Sequence, residues 1–222
     1  MRRARIAVIA LTVLAAIVAG AACGDDAGQG RGQAPSTSTT AVPETTTSVP
    51  ATTTTTGERD LSEASRLRLD GIGPIQIGMT VAEASAAVGR TVAVHPNSLL
   101  HGADSLCGFA EVSRGPADLL FMVLRDDPAA EWRIYRVDVH ESSRIATGGG
   151  IRIGATEDEV KQVYGDELQV EPHEYTGPEG HYLVLDADGA GGYMLLFETD
   201  GTRVLQFRSG NDEAVRHVEG CA

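Results

Sequence analysis

The chain has 222 residues and a formal net charge of −13, with 31 acidic side chains against 18 basic ones, of which only Lys161 is a lysine. That acidity argues against binding nucleic acid or anionic lipid through bulk charge. It fits a soluble module, and solubility alone is reason enough for it.

At the amino terminus, Arg2, Arg3 and Arg5 precede an apolar run from Ile6 to Val18 broken only by Thr12, and Ala19, Gly20, Ala21 and Ala22 lead into Cys23. Positive charge, apolar core and small residues, in that order, predict an export signal over 1–22. The run is about 13 residues long, against the roughly 20 that a membrane-spanning helix requires. Small residues before a cysteine resemble the lipobox of bacterial lipoproteins, although Gly20 stands where that family prefers leucine. In that family the thiol receives a diacylglycerol and cleavage leaves the cysteine as the first residue. The resemblance implies lipidation at Cys23 and a stable anchor on the outer face of the cytoplasmic membrane. An ordinary cleaved signal with an incidental cysteine would give a secreted protein instead. Without the three leader arginines the net charge is −16.

Residues 23–60 read as a linker. Thr, Ser, Pro, Ala and Gly dominate, with runs such as Thr52 to Thr56. Too few apolar side chains are present to offset the entropy of ordering, so this tether is expected not to fold. Its composition also permits O-glycosylation. With Cys23 consumed by lipid, Cys107 and Cys221 remain as one pair in an oxidising compartment, which predicts a disulfide. Two free buried thiols are the alternative.

The folded part, 61–222, is one domain by length or two small halves. Gly73-Pro74-Ile75-Gln76-Ile77-Gly78-Met79-Thr80-Val81-Ala82-Glu83 aligns with Gly149 to Glu159 at an offset of 76, so that Gly73, Ile75, Ile77, Gly78, Thr80 and Glu83 meet identical residues. Gly89 meets Gly165 and Pro96 meets Pro172 at the same offset. Two repeats follow, 61–146 and 147–222. Ile-x-Ile predicts a short strand, Gly a sharp turn, and Thr-x-x-Glu a capping box that opens a helix. Val81, Ala84 and Val88 make the apolar stripe of the first helix, and Val160, Val163 and Tyr164 that of the second. Gly89 and Gly165 are expected as left-handed C-terminal caps.

Strands are predicted near Cys107–Ser113, Leu119–Arg125 and Trp132–His140, then near Tyr182–Asp186, Tyr193–Glu198 and Arg203–Arg208. Gly115-Pro116, Asp127-Pro128, Asp188-Gly189 and Asp200-Gly201 supply the turns. The fold class is therefore α+β: two tandem repeats of a short helix followed by about three antiparallel strands, the sheet backed by helices. Gly148-Gly149-Gly150 reads as a hinge or joint between the modules.

The motif Gly-x-Ile-x-Ile-Gly-Met-Thr-x-x-Glu, followed by a short helix ending in Gly, resembles the β-lactamase-inhibitor-protein-like fold and the small outer-membrane-assembly lipoproteins. The stretch from Tyr175 to Ala222 further resembles uncharacterised bacterial lipoproteins of this arrangement. The resemblance covers about 67–222 and implies two tandem modules that bind a protein through a concave sheet face. The inhibitor family has a disulfide in each module, whereas this chain has one cysteine in each half, and no inhibitory residue carries over.

Chemistry-bearing motifs are scarce. His95, His101, His140, His173, His181 and His217 show no metal-ligand spacing, so no metal site and no cofactor are expected. No Gly-x-Ser-x-Gly elbow is present. Asp186-Ala187-Asp188-Gly189 lacks the remaining ligands of a calcium loop. Phe121, Trp132, Tyr135, Tyr182, Tyr193, Phe197 and Phe207 fall on predicted strands. Trp132, Tyr135 and Tyr193 are the candidates for an outward-facing recognition surface, since aromatics dominate binding hot spots.

The reading expected first is a non-catalytic module, not an enzyme, that is held to the membrane by lipid, binds another envelope protein and takes no nucleic acid. An exported hydrolase with a dispersed active site, or a sensor of a small ligand, are the alternatives.

Overall fold

The computed structural model describes residues 60–186 and 192–221. The leader, Cys23, the linker up to residue 59 and the Asp188-Gly189 turn lie outside the described residues. All described residues belong to one compact unit within Pro50–Ala222.

The elements, in chain order, are β1 (Arg66–Arg68), β2 (Gly71–Ile72), β3 (Ile75–Gln76), α1 (Val81–Val88), β4 (Val92–Val94), β5 (Cys107–Val112), β6 (Leu119–Leu124), β7 (Arg133–Val139), β8 (Ala146–Thr147), α2 (Glu157–Tyr164), β9 (Leu168–Pro172), β10 (His181–Asp186), β11 (Tyr193–Thr199), β12 (Val204–Asn211) and α3 (Asp212–Arg216). The class is α+β, mostly strand, in two sheets. The larger sheet has eight strands in the order β4-β5-β6-β7-β12-β11-β10-β9. Every neighbour in it is antiparallel. The smaller sheet runs β3-β2-β1-β8, with β1 and β8 parallel.

Local chemistry starts each long helix. Thr80 Oγ1 accepts from the Glu83 amide at 3.1 Å while the Glu83 carboxylate accepts from the Thr80 amide at 2.8 Å. Thr156 and Glu159 do the same at 3.2 and 2.7 Å. Each box satisfies two of the orphan donors at a helix start. These backbone hydrogen bonds hold the Glu83 and Glu159 carboxyls below their ordinary pKa.

The residues before each helix are stitched to a strand by the same bonds. The Gly78 amide donates to Ile134 O at 2.7 Å and the Gly154 amide to Val204 O at 2.8 Å. The Arg133 guanidinium returns a bond to Gly78 O at 3.0 Å, and Arg203 to Gly154 O at 2.7 Å. Eight-residue helices are marginal alone, so these bonds and the packing of Ala84, Val88 and Val160 hold them in place.

One face of the large sheet meets α1, α2 and the small sheet. Phe121, Phe197 and Phe207 are fully buried there among Val123, Ile134, Val137, Leu183 and Leu195. Truncating one such Phe to Ala costs about 3–5 kcal/mol.

The structure differs from the sequence expectations at definite points. Four strands of the large sheet, not about three, follow each long helix, the additions being the short edge strands β4 and β9, of which β9 is largely exposed. Ile151 to Ile153 forms no strand, although Ile151 is buried. Val163 is 45% exposed, so the buried stripe of α2 is Val160 with Tyr164 against the core. Gly89 is left-handed (φ 63°, ψ 22°), whereas Gly165 combines φ 61° with ψ −143° and leads into a short 3-10 turn. The glycine run is a tight turn: the Gly150 amide donates to Thr147 O and the Gly148 amide to Leu67 O. Among the described residues no helix is long and apolar enough to cross a membrane.

Candidate functional site

The other face of the large sheet carries charge at its centre, where β7 meets β12. Cross-strand pairing puts Met122 beside Arg136 beside Gly210, and Leu120 beside Asp138 beside Arg208. Arg136 and Asp138 are each 3% exposed and joined at 3.0 Å. Arg208, 4% exposed, pairs with Glu198. Gln206 donates to Glu198 Oε2 at 2.6 Å and in turn meets His140 Nδ1 at 2.8 Å. Burial alone would raise the Glu198 carboxyl, but the Arg208 charge and the bonds from Gln206, Arg208 and His173 outweigh it and hold its pKa below the ordinary value.

His173 is fixed in one tautomer. Its Nδ1 accepts from the amides of Tyr175 at 3.1 Å and Thr176 at 3.3 Å, so the proton sits on Nε2, 3.4 Å from Glu198 Oε2. Its ring stacks on Tyr182 at 4.5 Å.

A strap, residues 212–221, crosses this face. Asn211 caps α3 by accepting from the Ala214 amide. Arg136 Nη1 donates to Ala214 O at 2.7 Å and to His217 O at 2.8 Å, and Arg208 Nε donates to Val215 O at 2.6 Å. The two guanidinium groups thus satisfy carbonyls at the C-terminal end of α3, where positive charge is favoured. Val215 is buried against Tyr182, Val184, Met194 and Leu196. Tyr175 donates to Glu219 at 2.6 Å, and this acceptor pushes the exposed phenol up to about 12. Gly220 has φ +64°, and a Cβ there would lie 2.9 Å from the Phe109 ring, so glycine lets the strap lie on β5.

The strap ends in the predicted disulfide. Cys107 and Cys221 are joined with Cα atoms 5.4 Å apart across 114 residues of sequence. Beside it lies a cleft of about 460 Å³, walled by Leu106, Met122, Leu124, Tyr135, the disulfide and His217, with Asp126 and Glu213 at its sides.

Of the three aromatic candidates, Tyr135 lines this cleft. Trp132 is half-buried against the core, with the Arg125 guanidinium 4.1 Å above its ring. Tyr193 is half-buried at the start of β11, paired with Asn211. The structure therefore brings Tyr135 to the strap and leaves Trp132 facing the core side. Arg136, Asp138, Glu198 and Arg208 were not singled out by sequence. On a strand, charges alternating with apolar residues look the same whether water or a strap covers them.

A second polar cluster brings a carboxylate, an imidazole and a hydroxyl together. Glu157 Oε1 meets both His181 Nδ1 at 2.8 Å and Thr199 Oγ1 at 2.5 Å, and Oε2 meets Lys161 at 3.1 Å. Burial raises the Glu157 carboxyl, and the bonds from Thr199, His181 and Lys161 more than reverse it, leaving its pKa lowered. A nucleophile needs a base on its own hydroxyl. Thr199 has such a base in the Glu157 carboxylate, but it is 1% exposed, which closes its hydroxyl to a substrate. The cluster ties the start of α2 to β10 and β11. Among the described residues no three His, Cys, Asp or Glu side chains gather as metal ligands. His95 pairs with Glu111 at 2.7 Å on the surface, and His101 is exposed in a loop.

Comparisons with protein families, with curated protein sequences and with solved structures give no match to this chain.

Proposed function

We propose that the chain is a cell-envelope lipoprotein, acylated at Cys23, that displays a non-catalytic protein-binding module on the outer face of the cytoplasmic membrane. The observation that carries this reading is the Cys107–Cys221 disulfide, because structural disulfides persist in oxidising compartments. It agrees with the leader sequence and leaves Cys23 as the one cysteine for lipid. The module is two tandem copies of one unit, of the kind seen in β-lactamase-inhibitor-like proteins. Support comes from the matched capping boxes at Thr80 and Thr156, the matched amide bonds of Gly78 and Gly154, and a strand order in which β7 and β12 meet at the centre.

In the inhibitor-like family the sheet face binds the partner. The strap lies on the sheet face that carries Arg136 and Arg208, and on this reading recognition is reserved for the parts of that face the strap leaves open. Replacing Cys23 with Ser and fractionating cells tests the address. Loss of the protein from the membrane fraction supports it, and an unchanged membrane signal overturns it. Capture of a stoichiometric envelope protein on the immobilised full chain tests the binding role, and repeated failure at high concentration overturns it.

A further inference from the structure

We propose that the cleft beside the Cys107–Cys221 disulfide docks an extended segment of a partner polypeptide, one that carries an apolar anchor residue flanked by Lys or Arg. This rests on the binding-module reading and names the place and the chemistry of that binding.

The apolar part of the argument is the wall. Leu106 is 46% exposed, and it stands with Leu124, Tyr135 and the disulfide around a volume of about 460 Å³. That size suits one or two large side chains, and apolar clefts with a few polar groups at the side are where ligands bind. An aromatic such as Tyr135 beside an open apolar wall is the residue type that dominates hot spots.

The charged part is the rim. The segments around the cleft hold Asp126, Asp127, Glu131, Asp212, Glu213 and Glu219. One lining guanidinium, Arg125, offsets part of this negative charge. Arg125 donates to the carbonyls of Ala103, Ser105 and Pro128 and covers Trp132. Arg216 pairs with Glu171. Among the described residues, the Asp126 and Glu213 carboxylates have no ion-pair partner, and both are exposed. A negative rim steers a positive partner and discriminates against negative ones.

Two other occupants fit poorly. A second copy of this chain carries the same charge of −13. The chain's own residues 24–59 contain no aromatic residue and no Leu, Ile or Met to fill the wall. They also join the module at Asp60, which pairs with Arg90 while Arg90 bonds Arg114 O. Arg114 follows β5 at Val112, whereas the cleft sits at its other end, Cys107. Six strand residues put these ends roughly 20 Å apart, which a linker of this length spans easily, so its lack of large apolar side chains is what argues against it.

The test uses the full chain and a fluorescein-labelled octapeptide, Gly-Arg-Lys-Phe-Leu-Lys-Arg-Gly, read by anisotropy at physiological salt. Two counterparts replace either every Arg and Lys with Glu or the Phe and Leu with Ser. The proposal expects binding of the first peptide and at least tenfold weaker binding of both counterparts. It expects at least a tenfold loss on Asp126→Lys with Glu213→Lys, and a smaller loss on Leu106→Ser. It expects less than a twofold change on Asp166→Lys with Glu167→Lys, which alters net charge equally after α2. Equal losses from both charge reversals mean bulk attraction only and overturn it, as does failure of the first peptide to bind. An envelope partner captured equally by the chain and by its cleft variants also overturns it while sparing the binding-module reading, which fails only if no partner is captured at all.

Discussion

Removing the Cys107–Cys221 disulfide tests how the strap is held. The cross-link spans 114 residues, so the chain-entropy relation gives roughly 4–5 kcal/mol of destabilisation from the freed unfolded chain alone. The native side adds a local effect. Ordering the strap costs on the order of 10 kcal/mol in conformational entropy at about 1 kcal/mol or more per residue. Against it stand burial of Val215, about 2 kcal/mol, and three hydrogen bonds from charged donors, about 1.5–3 kcal/mol each. The two sides lie within a few kcal/mol, so the disulfide decides whether the strap stays docked. Reduced protein, or Cys107→Ser with Cys221→Ser, should melt roughly 10–20 °C lower at about 2–4 °C per kcal/mol. Amides of the strap, such as those of His217 and Gly220, should lose hydrogen-exchange protection while those of β6 and β11 keep theirs well below the melting temperature. A melting change under 3 °C with unchanged protection in the strap would refute the reasoning.

Three further outcomes follow from the same face. Arg136→Met leaves Asp138 buried without its cation, which should cost about 3–5 kcal/mol in urea unfolding, and adding Asp138→Asn should recover part of it. Gly210, at φ +150°, would place a Cβ 2.2 Å from Tyr135 O, whereas a Cβ at Gly89 meets nothing within 4 Å. Gly210→Ala should therefore destabilise by at least about 2 kcal/mol more than Gly89→Ala. Glu198 has a lowered pKa in the folded state, so the unfolded chain binds more protons as pH falls through the ordinary value of 4.5. Its contribution is present above pH 4.5 and is lost below it, and the stability of Glu198→Gln should fall less between pH 5 and pH 3 than that of the parent.

How far sequence reaches depends on whether a residue's partner is local. The capping boxes needed only residues three apart, so Thr80–Glu83 and Thr156–Glu159 were legible, and so were the six long strands, whose turn residues sit beside them. The disulfide was legible by counting, since the chain holds three cysteines. β4 and β9 were missed because three or five residues with few buried side chains carry little periodicity. The strap was illegible for a different reason. Asp212 to Arg216 is polar enough to read as a tail, and what makes it structure is a set of distant donors, Arg136 and Arg208, together with Cys107. Arg136 and Asp138 stand two apart on β7, a spacing that predicts one side of a strand and leaves open what covers it. The register across the β7–β12 seam decides that both charges are buried, and that register rests on Gly210 admitting the backbone of Tyr135. Gly210 sits in Ser209-Gly210-Asn211, which in sequence looks like a turn that ends a strand. Only the pairing with β7 makes it the contact on which the charged centre of the sheet depends.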